Sequence, residues 1–207
     1  GSDGNVHSID LLSTYLRTVI EVNLVAVDQL TYGEFNMSLS NPTYITMFSL
    51  EPLEGKGVME INPVLVFSVI ERLLGGKGRP PTEVRVLTDI EQAIINRVVS
   101  IFIEGLTQAW RHVADFTFRA TDTEVNPQFV QVVSPGETVI LVTLEMKAGE
   151  SSGIISICFP FIFIEPIMNR LSAQHLMASS KKKTEEGKQG HIKKNLDKTP
   201  LSISVRL

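Results

Sequence analysis

Lys77 has the setting of an anion ligand. The run Gly75-Gly76-Lys77-Gly78-Arg79 places an ammonium and a guanidinium among three glycines, whose missing Cβ atoms allow close approach to the backbone. A phosphate-cradling loop requires G-x-x-x-x-G-K-[ST] ahead of a helix, and neither condition is met: Gly78 follows Lys77, and the glycines come after the apolar helical pattern Val66, Ile70, Leu73 and Leu74. Pro80-Pro81 closes the run. It reads either as a plain helix-to-helix connection or as a corner of exposed backbone amides that a partner approaches closely. Other reactive groups are not assembled. Cys158 lies inside the apolar run 154–163, which favours an inert thiol over a nucleophile. His7, His112, His175 and His191 lack metal-ligand spacing, and neither G-x-S-x-G nor H-E-x-x-H occurs. Glu51/Glu54 and Glu185/Glu186 fall in turn and linker segments, where solvation accounts for them. The expectation is therefore no catalytic residue, no metal and no cofactor.

The elements that hold the glycine run come from a duplicated pattern. Thr43–Leu50 alternates as a half-buried strand, 51–57 turns, and Val58–Ile61 starts a second strand. Asn62-Pro63 then opens the apolar helix 64–74, with proline where its missing N–H costs least. About 96 residues later Thr138–Leu144 is a strand, 147–152 a turn, and Gly153–Ile157 parallels Gly57–Ile61. Pro160 then opens a second apolar helix through Ile164, Ile167, Met168 and Leu171. Ahead of each pair stand a helix and a further strand: Ser8–Arg17 with Val19–Val27, and Thr88–His112 with Phe116–Val125. Thr88 with Glu91 forms a capping box, and Ile90, Ile94, Val98, Ile101, Leu106 and Trp110 form the apolar stripe of the long helix. Tyr32–Leu39 is one or two helical turns. Two helix–strand–strand–strand–helix repeats predict an α+β domain (α/β in the broad sense), pseudo-twofold and layered αβα, with a mostly antiparallel sheet.

Composition sets the frame. The 207 residues are 43% apolar, enough for one sizeable core, and carry a net charge of −4. Residues 178–207 hold eight Lys/Arg against three Asp/Glu, so 1–177 stand at 11 − 20 = −9. The basic character is thus confined to a tail without aromatic or helical organisation, and nucleic acid is not an expected partner. Domain 1–177 is followed by a flexible basic linker, 178–198, and by a lone alternating strand, 199–207, read as the start of a truncated second domain. With a single cysteine and no apolar run long enough to span a bilayer, a reducing, cytosolic setting is expected.

The ordered blocks Leu30-Thr-Tyr-Gly-Glu-Phe35, Asn41-Pro-Thr43, Leu53-Glu-Gly55, Glu71-Arg-Leu-Leu-Gly-Gly-Lys-Gly78 and Leu87-Thr-Asp-Ile-Glu-Gln92 resemble the middle domain of the FliM family of flagellar motor switch proteins, over nearly all of 10–177. The last strand resembles the opening of the domain that this family shares with FliN. The resemblance implies a non-enzymatic component of the switch ring (C ring), at the cytoplasmic face of the inner membrane in the basal body, relaying chemotaxis signals to rotation direction. It implies that Gly75, Gly76, Lys77, Gly78 and Arg79 dock the middle domain of FliG, offering backbone N–H donors and two cations. It also implies that the long helices pack side by side with neighbouring FliM subunits, so that Glu91, Gln92, Arg97, Glu104, Gln108 and Arg111 are expected to face either a neighbour or water. FliN is expected to bind through the missing C-terminal domain, and phosphorylated CheY mainly through a missing N-terminal peptide. The alternative is a CheY-P phosphatase of the related CheC-type family, whose D/S-x3-E-x2-N motif orients the attacking water. Here that motif falls on Asp89, Ala93 and Asn96, with the glutamate gone, and on Ser8, Leu12 and Tyr15 in the first half, with both later positions lost.

Overall fold

Six strand segments read from the sequence call for a sheet, with helices to cover it. The computed structural model of the protein, which describes residues 3–111, 115–163 and 165, has one. The elements run α1 (Asp3–Leu16), β1 (Ile20–Thr31), α2 (Tyr32–Ser38), β2 (Tyr44–Glu51), β3 (Gly57–Ile61), α3 (Pro63–Leu73), α4 (Asp89–Trp110), β4 (Thr117–Glu124), a 3-10 turn (Pro127–Phe129), β5 (Thr138–Ala148) and β6 (Ser151–Pro160). Phe161–Phe163 are helical, and the expected helix positions Ile164, Ile167, Met168 and Leu171 lie outside the described residues, as do the expected linker 178–198, the expected strand 199–207 and His112.

The antiparallel sheet has the order β1-β5-β6-β3-β2-β4. Exchanging β1 with β4, β2 with β5 and β3 with β6 returns the same order reversed, so a pseudo-twofold runs between β6 and β3. Each half lends its first strand to the other half's hairpin. Both edge strands carry a bulge: Val25 is the extra residue between Leu24↔Leu144 and Ala26↔Thr143, and Thr121 between Ala120↔Phe48 and Asp122↔Met47. The offset, 121 − 25 = 96, is the repeat spacing read from the sequence. Bulges twist the exposed edges away from flat pairing with another strand. The hairpins differ. Met47 pairs with Val58 and Thr143 with Ser156, separations of 58 − 47 = 11 and 156 − 143 = 13. The second arm is two residues longer, so Gly153 stands two positions away from the true equivalent of Gly57. Each of its strands reaches roughly 3.3 Å farther.

Helices α1, α3 and α4 cover one face through Leu12, Leu16, Leu65, Val66, Val98, Val99 and Phe102, packed on Phe48, Met59, Leu144, Ile155 and Ile157. The other face carries a smaller core of Ile45, Val58, Val139 and Cys158 beneath Tyr32 and Phe35 of α2. The Tyr32 hydroxyl donates to the Val130 carbonyl at 2.7 Å, satisfying its buried polar tip. The long helix starts at the expected capping box: Glu91 N–H donates to Thr88 Oγ1 at 3.3 Å and Thr88 N–H to Glu91 Oε2 at 2.8 Å. Thr31 and Glu34 repeat the device on α2.

Helix α1, strand β1 and the stripe of α4 differ from expectation. Helix α1 begins at Asp3, and Arg17 lies beyond its end at φ 51, the left-handed residue of a Schellman close. Strand β1 continues past Val27 to Thr31, because the bulge resets its alternation and pairing with β5 resumes. The stripe of α4 is rotated: Ile90 is 74% exposed, and the buried line runs through Ile95, Val98, Val99 and Phe102, with Ile94, Leu106 and Trp110 at its margin.

Candidate docking site

The glycine loop closes α3 by a Schellman motif. Gly76 N–H donates to the Glu71 carbonyl at 2.9 Å and Gly75 N–H to the Arg72 carbonyl at 3.0 Å. Gly75 takes φ 98, open to glycine and costly for other residues. The chain then wraps around the Glu71 side chain. The N–H groups of Gly78 and Arg79 both donate to Glu71 Oε2, the latter at 3.1 Å. Those donors, with the Gly78 N–H foremost and Lys77 contributing, hold the Glu71 carboxyl below the usual carboxylate range. Arg72 Nη2 donates to the Lys77 carbonyl at 2.8 Å, and the Ser151 hydroxyl at the start of β6 donates to the Gly78 carbonyl. The longer second hairpin is what reaches the loop.

The sequence-based expectation of free backbone donors is corrected here. The amides of Gly78 and Arg79 are spent on Glu71, and Gly78 is buried. Gly75, Gly76, Lys77 and Arg79 are exposed, and Leu74, expected on the apolar stripe, is 68% exposed beside them. Lys77, Arg79, Pro80, Glu150, Ser151 and Ser152 line a groove between loop and hairpin. The site thus offers two cations and an apolar side chain on a braced corner. Glu71, Arg72 and Ser151, which brace it, were not singled out from the sequence; an acid in the last turn of a helix, against the helix dipole, was the available sign.

The lateral set on α4 divides. Arg85 clamps Glu91 bidentately at 2.7 and 2.8 Å and lies over the Phe67 ring at 5.1 Å. That hydrogen bond from Arg85 pulls the Glu91 carboxyl down to about 2. Gln92 Nε2 donates to Thr123 Oγ1 at 3.2 Å. Both residues are therefore engaged within the domain. Arg97, Glu104 and Arg111 are exposed, and Gln108 is half-buried. At the positions where the phosphatase motif would fall, Ala93 is exposed with no carboxylate to place a water, and Asn96 Oδ1 accepts from the Tyr44 hydroxyl. Burial pushes the Cys158 thiol up to about 12, the condition of an inert core cysteine. Among the described residues no group of His, Cys, Asp and Glu could hold a metal ion, and no helix is long and apolar enough to cross a membrane.

One buried acid belongs to the sheet. Glu60 accepts from Thr43 Oγ1 at 2.6 Å, and desolvation raises its carboxyl above the usual range against the hydrogen bonds of Thr43 and Ser156. The folded form thus binds the proton more tightly than the unfolded chain. Its contribution is fully present below the unfolded pKa and lost as pH rises through the folded one. Glu60→Gln should remove that loss and make the domain more stable than the parent at neutral pH, with the gap closing in acid. Urea melts at several pH values read it; a gap that widens in acid would refute the assignment.

The family model described as "Flagellar motor switch protein FliM" matches residues 7–176. The flagellar motor switch protein FliM of Treponema pallidum is 38% identical over 192 residues, 93% of this chain and 56% of that protein. FliM of Borreliella burgdorferi is 41% identical over 165 residues, 79% of this chain and 47% of that protein. The chain therefore spans about half the length of these relatives. Among solved structures, a chain of the FliG-FliM complex from H. pylori superposes with a TM-score of 0.74 at 38% identity, covering 79% of this chain and 90% of that one.

Proposed function

The chain belongs to the FliM family of flagellar motor switch proteins, and on that premise we propose that it is the middle domain of a C-ring subunit whose glycine loop docks the middle domain of FliG. The observation that carries this reading is the braced corner, where Lys77 and Arg79 stand exposed with Leu74 on a loop tied to both α3 and the β5–β6 hairpin. The H. pylori relative whose structure is a complex with FliG supports the partner. Recognition is by side-chain charge and an apolar contact more than by backbone donors, so the complementary FliG patch is acidic. Arg97, Glu104 and Arg111 remain the candidates for contact with neighbouring subunits along the ring. The domain acts as a mechanical, non-catalytic relay at the cytoplasmic face of the inner membrane; binding of FliN and of phosphorylated CheY is assigned mainly to other parts of the whole protein.

Reversing both charges, Lys77→Glu with Arg79→Glu, should weaken binding of the FliG middle domain about tenfold or more, and parent binding should fall as salt is raised. Isothermal titration calorimetry measures both. An affinity unchanged by the double reversal removes the loop from the interface.

A further inference from the structure

A glutamate in the last turn of a helix opposes the partial negative charge of the helix end, so its presence there needs a compensating set of donors. Glu71 has that set: the N–H groups of Gly78 and Arg79 converge on one carboxylate oxygen, forming a backbone nest filled by an internal anion. The same carboxylate occupies the space that a Cβ on Gly76 would need, so a side chain at 76 would push the carboxylate out of the nest. Arg72, on the adjacent position of α3, fixes the Lys77 carbonyl, and Ser151 fixes that of Gly78. The polar backbone of 77–79 is therefore turned inward, and the side chains of Lys77 and Arg79 are what remain for a partner.

We propose that Glu71 is the positioning residue of the docking corner, the internal anion around which the loop folds so that Lys77 and Arg79 are presented to an acidic partner surface. This rests on the reading that the loop docks FliG. The role is presentation: Glu71 acts on the partner through the loop it shapes.

The test pairs two measurements on the same protein, amide hydrogen exchange by NMR without partner and calorimetric titration with the FliG middle domain. Glu71→Ala should speed exchange at Gly78 and Arg79 and weaken FliG binding about tenfold, the equivalent of roughly one charge-assisted hydrogen bond. Its thermal midpoint should stay within a few degrees of the parent, since the loop is at the surface. Glu71→Gln keeps an acceptor oxygen at the same reach and should recover part of both effects. Unchanged exchange at Gly78 and Arg79 overturns the inference. So does faster exchange with undiminished FliG affinity, provided the Lys77→Glu/Arg79→Glu protein binds weakly. If that double reversal also binds like the parent, the docking reading itself has failed and the inference falls with it.

Discussion

Phe48→Ala should cost about 3–5 kcal/mol of folding stability, a large share of the roughly 5–15 kcal/mol that holds a domain of this kind together. Phe48 is fully buried, with ring centroids 5.5 Å from Phe118 and 5.7 Å from Phe159; Trp110 stands 5.9 and 5.8 Å from the same two rings. The cluster draws on β2, β4, β6 and α4, so it joins both halves of the duplication. Beneath the ring lies Gly57, whose absent Cβ is the space the ring fills, and a glycine has no side chain to swing into the cavity. The residue also pairs with Ala120 beside the β4 bulge, where the ladder is already interrupted. Urea titration should show a lowered midpoint at an unchanged slope. A loss below about 1 kcal/mol would mean that the aromatic cluster collapses around the gap.

Much of this architecture was legible in the sequence because its signals are local. Thr88 with Glu91, and Asn62 with Pro63, announce helix starts through side chains two or three residues from the amides they serve. The repeat spacing of 96 reappears as the distance between two bulges. What failed was non-local. Leu24-Val25-Ala26-Val27 is an unbroken apolar run, so alternation vanishes where the bulge inserts its extra residue, and the pattern alone marks a strand end near there. Ile90 fits a helical stripe by spacing, yet it sits in the first turn of α4 and is largely exposed, a fact set by the tertiary contacts of that end.

The docking corner shows the same division. Three glycines after a helix mark a capped, turning loop, and that much held. Which amides are free depends on where the Glu71 carboxylate goes and on Ser151, 73 positions along the chain from Gly78. Neither is visible as a motif. On α4 the missing information was likewise pairing: Glu91 and Gln92 look like surface polar residues until Arg85 and Thr123 are placed beside them.

The longest-range consequence is the coupling of β6 to the corner through α3. A Cβ built on Gly153 would lie 2.5 Å from the Cβ of Leu65, a residue 1% exposed, and that atom is fixed to the helix backbone, so the collision cannot be relieved by a side-chain rotation. Gly153→Val should therefore lever α3 off the sheet at a cost of about 3 kcal/mol, the upper part of the usual range for overpacking. The same displacement carries Glu71 and Arg72 with it, while Ser151, two residues before the mutation, is pushed the other way; FliG binding should weaken together with stability. Gly136→Val is the matched control, because a Cβ there meets nothing within 4 Å. Thermal denaturation and titration of both variants separate the cases. If Gly153→Val melts with Gly136→Val and binds as tightly, then α3 is not seated on β6 closely enough for the sheet to set the angle of the loop.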